Sequence, residues 1–130
     1  MPLSLASDIF SGKVVTSLAS IFESANIIPD DSNATINEAS SIYLNAGKLN
    51  INLTIYVSGS STSEITIDLS SFLDINRYKS RGFVPGVYNN YTTAGFVEYY
   101  LNNGTLTLSK PSQSSGSTFS AIGVNLYIEQ

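Results

Sequence analysis

This sequence contains no cysteine, no histidine and no tryptophan, and only 12% of its 130 residues are charged. Without cysteine the fold can have neither a disulfide framework nor a thiolate metal site. The lack of histidine and cysteine also removes the side chains most used for acid–base catalysis, thiol catalysis and transition-metal binding. A small domain without disulfides is consistent with synthesis and folding in a reducing cytoplasm.

Positive charge is scarce, since six Lys and Arg residues stand against ten Asp and Glu residues, for a net charge of −4. Three cations, Arg77, Lys79 and Arg81, form the one local group. Nucleic-acid binding needs a dense basic surface, so we expect no nucleic-acid partner. The simplest interpretation of the group is a solvated strand edge, where charge discourages edge-to-edge pairing.

Long apolar runs are also missing. The first residues lack the basic segment and apolar run of a signal peptide. No run approaches the roughly 20 residues that a membrane-spanning helix needs. We therefore expect neither secretion by this route nor a membrane span.

What the sequence does have is period-two alternation, clearest between Lys48 and Leu69. Aliphatic side chains alternate there with Asn, Thr and Tyr, at Leu49, Ile51, Leu53, Ile55, Val57, Ile65, Ile67 and Leu69. Alternation places one set on the core face of extended strands. The Ser/Gly-rich residues between Val57 and Glu64 predict a turn, and hence a long β-hairpin.

Further strands are predicted on both sides of this hairpin. They cover Ala39–Asn45, Arg77–Tyr88 with an interruption at Pro85-Gly86, Thr92–Leu101, Thr105–Ser109 and Thr118–Glu129. The links Ala46-Gly47, Asn89-Asn90 and Asn103-Gly104 have turn chemistry. The pattern predicts an all-β antiparallel fold: a sandwich, a jelly roll or a small β-barrel.

One segment has helical periodicity, Ser11–Asn26, with an apolar stripe and Ser11 as a plausible N-cap. Pro29 and the polar residues after it break the pattern. We predict a short N-terminal helical element over residues 1–32 and a β-domain over residues 33–130. The stripe could pack on the β-domain, on other copies of the chain or on a docking partner.

No catalytic constellation is apparent. The carboxylates lie mostly at turns or on polar strand faces, and no pair has the arrangement of a glycosidase, so we expect no enzyme activity and no cofactor. The segment Asp30–Asn33 offers hard oxygen ligands for calcium, but it lacks the spacing of an EF-hand. A turn explains the same residues, and we predict no metal site.

Tyrosines Tyr88, Tyr91, Tyr99 and Tyr100 cluster in the sequence around the Asn89-Asn90 turn. A tyrosine ring has a flat apolar face and a hydroxyl, which suits stacking on sugars. The nearby cations could contact anionic groups such as glycerol phosphate. The candidate ligand-binding residues are therefore Arg77, Lys79, Arg81, Tyr88, Tyr91 and Tyr99.

The order of segments resembles the head domains of phage tail and baseplate receptor-binding proteins, such as those of lactococcal phages. The resemblance covers about residues 40–130, from the Gly47–Ile55 strand to the closing strand, and is best over Gly95–Leu108. It implies a homotrimer in the virion, a β-barrel or jelly-roll head that binds cell-surface saccharide, and an N-terminal element that trimerises or docks to another tail protein. It identifies no binding residue position by position.

Three hypotheses follow. The first is a trimeric, non-catalytic virion adhesion protein, made in the host cytoplasm, that binds bacterial cell-wall polysaccharide. The second is a structural virion protein, a capsid decoration or baseplate connector, that binds no glycan. The third is a monomeric carbohydrate-binding module from an enzyme.

Overall fold

The computed structural model describes residues 22–23, 27–58, 63–72, 75–111 and 117–129. These residues form nine β-strands and a short 3-10 turn at Ile75–Arg77. The strands are β1 (Phe22–Glu23), β2 (Ala34–Ile36), β3 (Ser41–Asn45), β4 (Lys48–Val57), β5 (Glu64–Asp68), β6 (Ser80–Tyr88), β7 (Thr93–Asn102), β8 (Thr105–Ser109) and β9 (Phe119–Ile128).

All nine strands belong to one antiparallel sheet that is nearly closed into a barrel. The strand order is β1-β3-β4-β9-β6-β7-β8-β5, and β2 pairs with β4 beyond the end of β3. The predicted all-β antiparallel fold is confirmed, and of the architectures left open by the sequence the sheet adopts the barrel.

The predicted helix over Ser11–Asn26 lies outside the described residues except at Phe22–Glu23. Those two residues are extended and pair with Ile42 and Ser41 of β3. At these two positions the helix prediction is wrong, because the backbone there continues the hydrogen-bonded ladder of the sheet.

The segment that precedes β2 belongs to the barrel, although the sequence assigned it to a separate N-terminal element. Ile27 is 2% exposed and packs in the core. The Asp30 N–H donates to the Thr66 carbonyl of β5 at 3.0 Å. The chain then forms β2 on β4, so this segment connects the end strand β5 to β4 and nearly closes the sheet.

The predicted hairpin between β4 and β5 is wrong. β4 pairs with β2, β3 and β9, whereas β5 pairs with β8, with Ile65 opposite Leu108 and Ile67 opposite Leu106. The aliphatic residues of both strands are nonetheless buried, as their alternation predicts. Alternation defines the face that a strand buries but not the strand it pairs with.

Two predicted turns are confirmed with the expected backbone. Ala46 and Gly47, with φ of 54° and 79°, connect β3 to β4, and Asn103 and Gly104, with φ of 51° and 78°, connect β7 to β8. Two consecutive positive φ values characterise the tight hairpin turn that suits the twist of paired strands. The local sequence is thus sufficient to place these two hairpins.

Pro85 lies within a continuous β6, not at the strand break that the sequence predicted. All of β6 pairs with β7, but its ladder with β9 covers only Gly86 to Tyr88. The part of β6 up to the proline is therefore paired on one side only. Such a position tolerates a residue that has no N–H to donate.

Candidate functional site

The loop between β6 and β7 has the most unusual backbone of the described residues. Asn89, Asn90 and Tyr91 have φ of 56°, 56° and 65°. Asparagine enters this left-handed region readily, but a bulky aromatic residue there is a genuine outlier. Such strain persists only where the surrounding structure enforces it, and it is concentrated at functional sites.

Hydrogen bonds with Ser120 of β9 and with Thr118, the residue just before β9, hold the loop in this conformation. The Tyr91 N–H donates to the Ser120 hydroxyl at 3.1 Å, and the Thr118 N–H donates to the Asn89 side-chain carbonyl at 3.1 Å. Within the loop, the Thr92 hydroxyl donates to the Asn89 carbonyl at 2.6 Å. The backbone is therefore fixed, and the Tyr91 side chain is presented to solvent at 58% exposure.

A cavity of about 380 Å³ lies beneath this loop at one end of the barrel. Its lining comprises Val57, Ser58, Asn90, Tyr91, Thr118, Phe119 and Ser120. The volume is in the range of small-molecule sites. None of these side chains carries a charge, and together they offer hydroxyls, one amide and aromatic surface. The lining suits a neutral, hydroxyl-rich ligand.

Sequence reasoning found Tyr91 but missed most of this lining. The other walls come from the end of β4 and the start of β9, which are distant in sequence. Only the pairing of β9 with β4 and β6 brings them to the loop. The one signal in the sequence is that each of these segments ends or begins a strand.

Tyr88 and Tyr99 are not at the surface, so we correct their assignment to a binding face. Tyr88 is 1% exposed and stacks on Phe119 with ring centroids 5.5 Å apart, and its hydroxyl donates to the Phe96 carbonyl at 2.5 Å. Tyr99 is 8% exposed, and its hydroxyl lies 2.7 Å from that of Ser80. Both rings belong to the core with their hydroxyls bonded.

Glycines create the space for these rings. A Cβ added at Gly82 would lie 2.9 Å from the Tyr99 ring, and one added at Gly95 would lie 3.1 Å from the Tyr88 ring. Glycine within a strand often marks such a close approach. The glycines around the tyrosines therefore signal buried rings, a signal that the sequence interpretation did not use.

The three predicted cations are exposed but lie away from Tyr91. Arg77 ends the 3-10 turn, Lys79 follows it, and Arg81 lies at the start of β6. The Arg81 guanidinium is 4.3 Å from the centroid of the Tyr100 ring. Arg81 and Tyr88 are separated by most of β6, a distance of about 23 Å at the rise of a strand. The cations and the Tyr91 loop therefore lie at opposite ends of β6.

Both acidic residues of the Asp30–Asn33 segment act as hydrogen-bond acceptors, Asp30 towards β5 and Asp31 within the turn. The Asp30 carboxylate accepts the Thr66 N–H and the Thr66 hydroxyl, each at 2.8 Å, and Asp31 accepts the Asn33 N–H at 2.8 Å. Among the described residues, no group of three or more acidic side chains is arranged to hold a metal ion. The turn interpretation accounts for the Asp31 bond, whereas the Asp30 bonds join this segment to β5.

Asp68 and Lys48 have clearly shifted pKa values, and both shifts have local causes. Hydrogen bonds from Ser70 lower the pKa of Asp68 below 3.8. The hydrogen bond to Glu129 raises the pKa of Lys48 above 10.5, with a smaller electrostatic contribution from Tyr127. Neither group lines the cavity. The contacts that shift their pKa values act locally and do not indicate an acid or base poised for chemistry.

A second surface feature is an apolar face on the outside of the barrel, formed by Phe83 and Pro85 of β6 and Phe96 of β7. Pro85 lies directly opposite Phe96, and Phe83 and Phe96 are 62% and 64% exposed. The sequence interpretation placed these residues in strands but did not identify the face. The face follows from their alternation with the buried Val84 and Val97.

None of the described residues belongs to a helix with the length and hydropathy to cross a bilayer. Comparisons of the chain with protein-family models, with curated proteins and with solved structures find no match.

Proposed function

We propose that this chain is a non-catalytic adhesion protein that binds cell-surface saccharide at the loop of Tyr91 and the cavity beneath it. The observation that carries the proposal is Tyr91 itself. Its backbone is held in a costly left-handed conformation while its ring stays 58% exposed beside an uncharged cavity. Because strained residues are concentrated at functional sites and this ring contributes little to the core, we assign it to ligand binding.

The chemistry of the lining supports a saccharide as the ligand. An exposed tyrosine ring stacks on the apolar face of a sugar, and hydroxyl and amide groups exchange hydrogen bonds with its hydroxyls. Ser58, Asn90 and Thr118 supply such groups around the ring. The predicted cations lie at the far end of β6, so a neutral part of a cell-wall polysaccharide fits the cavity better than a glycerol phosphate.

The biological setting of the proposal rests on the resemblance to phage receptor-binding heads. It comprises a homotrimer in the virion, docked to another tail or baseplate protein through the N-terminal element and made in the host cytoplasm. A cavity of this kind binds a single sugar weakly. Several copies on one particle would convert weak sites into firm attachment, since linked sites gain avidity without new contacts.

The test is binding of the purified chain to a bacterial glycan array and to whole cells. Tyr91→Ala removes the ring, and we expect its binding to fall about tenfold or more, the equivalent of about 1.4 kcal/mol. Tyr127→Ala is the matched control, because Tyr127 is 60% exposed on the barrel but does not line the cavity. Equal binding by the native chain and Tyr91→Ala would refute the assignment of this site.

The alternative is a structural virion protein, a capsid decoration or a baseplate connector. The apolar face of Phe83, Pro85 and Phe96 favours it, since such faces mark protein contacts. A connector should ignore bacterial surfaces. Native chain that binds neither the array nor whole cells would therefore favour this alternative.

A further inference from the structure

The apolar face of Phe83, Pro85 and Phe96 is the largest departure from an ordinary solvated surface among the described residues. Both phenylalanine rings are more than 60% exposed, and they lie on neighbouring strands with Pro85 between them. Gly123 of β9 adjoins Pro85, since a Cβ added there would lie 4.0 Å from the proline ring. Phe83, Pro85, Phe96 and Gly123 thus form an apolar group, and Glu98 adjoins it opposite Phe83.

Single exposed apolar residues are normal, but a contiguous aromatic group on one face marks an interface. Aromatic residues are enriched at such interfaces, and charge is depleted from their centres. The border of this face has polar groups: Glu98 lies opposite Phe83, and Arg81 lies opposite Tyr100 one position further along the same face. An apolar centre with a charged rim is the usual anatomy of a protein–protein contact.

We propose that this face binds a second copy of the same chain. The inference rests on the homo-oligomer of the proposed function and is independent of saccharide binding. The face is complementary to itself in charge, because its rim has one cation, Arg81, and one anion, Glu98. Around the three-fold axis of a trimer, Arg81 of each copy approaches Glu98 of the next while the phenylalanine rings pack near the axis.

The rim charges and the apolar area define what this contact would use. The one ion pair within the described residues, Lys48 with Glu129, uses neither Arg81 nor Glu98. The two exposed rings contribute about 250 Å² of apolar surface, taking roughly 200 Å² for a whole phenylalanine. A standard interface buries about 800 Å² per partner, so the rings supply its centre and the neighbouring residues of β6, β7 and β9 supply the remainder.

The test is the mass of the chain in solution, measured by light scattering after gel filtration from about 1 to 100 µM. We expect the native chain to exceed its monomer mass of 13.9 kDa at the higher concentrations. Phe83→Thr with Phe96→Thr should weaken association about a hundredfold or more, because central aromatic residues dominate such contacts. Threonine retains the strand preference of the replaced residues, and circular dichroism checks the fold.

Ile28→Thr is the control, since Ile28 is 72% exposed and lies outside the face. Association unchanged in the control and lost in the double variant supports the proposal. A native chain that stays monomeric overturns both the interface and the homo-oligomer of the proposed function. An oligomer that persists in the double variant overturns only the interface. Saccharide binding, tested through Tyr91, is a separate result in either case.

A charge exchange tests the arrangement of the two copies. Arg81→Glu and Glu98→Arg should each weaken association about tenfold, because each places like charges in contact across the interface. The double exchange should restore association, since it re-forms the pair with its charges reversed. Single variants with the native mass distribution would overturn the arrangement in which Arg81 contacts Glu98.

Discussion

Tyr91 combines local strain with surface exposure, and the two have separable consequences. Its φ of 65° is costly for a residue with a Cβ and free for glycine. Tyr91→Gly should therefore raise the free energy of unfolding by about 1 kcal/mol, because the exposed ring contributes little packing. Urea unfolding of the native and variant chains measures the difference.

The same variant should lose saccharide binding as completely as Tyr91→Ala does. A gain in stability with a loss of binding is the pattern expected where a conformation is kept for function. Tyr91→Ala separates the two effects, since alanine removes the ring but keeps most of the backbone strain. If Tyr91→Gly unfolded at a lower urea concentration than Tyr91→Ala, the tyrosine conformation would not be a strained one.

The sequence predicted the turn at Asn89-Asn90 but not the fate of the tyrosines around it. The direction of a strand side chain depends on the register in which the strand pairs. Tyr88 and Tyr99 point inward because Val84 and Val97, an even number of residues away on the same strands, do so. Tyr91 lies in the loop, where no such periodicity applies, and its position depends on the Ser120 hydroxyl.

At the scale of the elements, the junction between β5 and the segment before β2 depends on a few hydrogen bonds. Asp30 holds it through two bonds to Thr66 and through its own backbone N–H. Asp30→Ala should lower the free energy of unfolding by about 1 kcal/mol, because the Thr66 N–H loses its side-chain acceptor. Chemical denaturation measures the loss, and hydrogen exchange should locate it in β5.

Thr66→Val is the graded comparison, since it removes the hydroxyl bond and leaves the backbone bond to Asp30. The free energy of unfolding should fall less in Thr66→Val than in Asp30→Ala. Equal exchange rates in β5 for the native chain and Asp30→Ala would contradict the assignment of this carboxylate to barrel closure.

Strand pairing shows why the elements were more predictable than their arrangement. Hairpins with short turns, such as the one at Asn103-Gly104, could be read directly because the turn residues select the connection. The longer link after Val57 has no such constraint. Its Ser/Gly-rich sequence fits a hairpin and a crossing to the other side of the barrel equally well, and the structure has the crossing.

For the molecule as a whole, the all-β class could be predicted because the same alternation recurs in nearly every strand. The N-terminal limit of the barrel could not be predicted from the sequence, because Pro29 and the acidic turn after it resemble a linker between domains. In the structure these residues close the sheet. Ile27 fills the core beside them, and this burial has no periodic signal in so short a segment.

The N-terminal limit can be tested with two shortened chains, one spanning residues 27–130 and one spanning residues 33–130. Only the first retains Ile27, which is 2% exposed, and the Asp30 bonds to β5. Burial of Ile27 contributes about 2 kcal/mol and the bonds about 1 kcal/mol, so the second chain should be about 3 kcal/mol less stable in urea unfolding. That is a large part of the stability of a small domain. Equal stability of the two chains would instead restore the boundary after residue 32, because the barrel would then close without the segment that precedes β2.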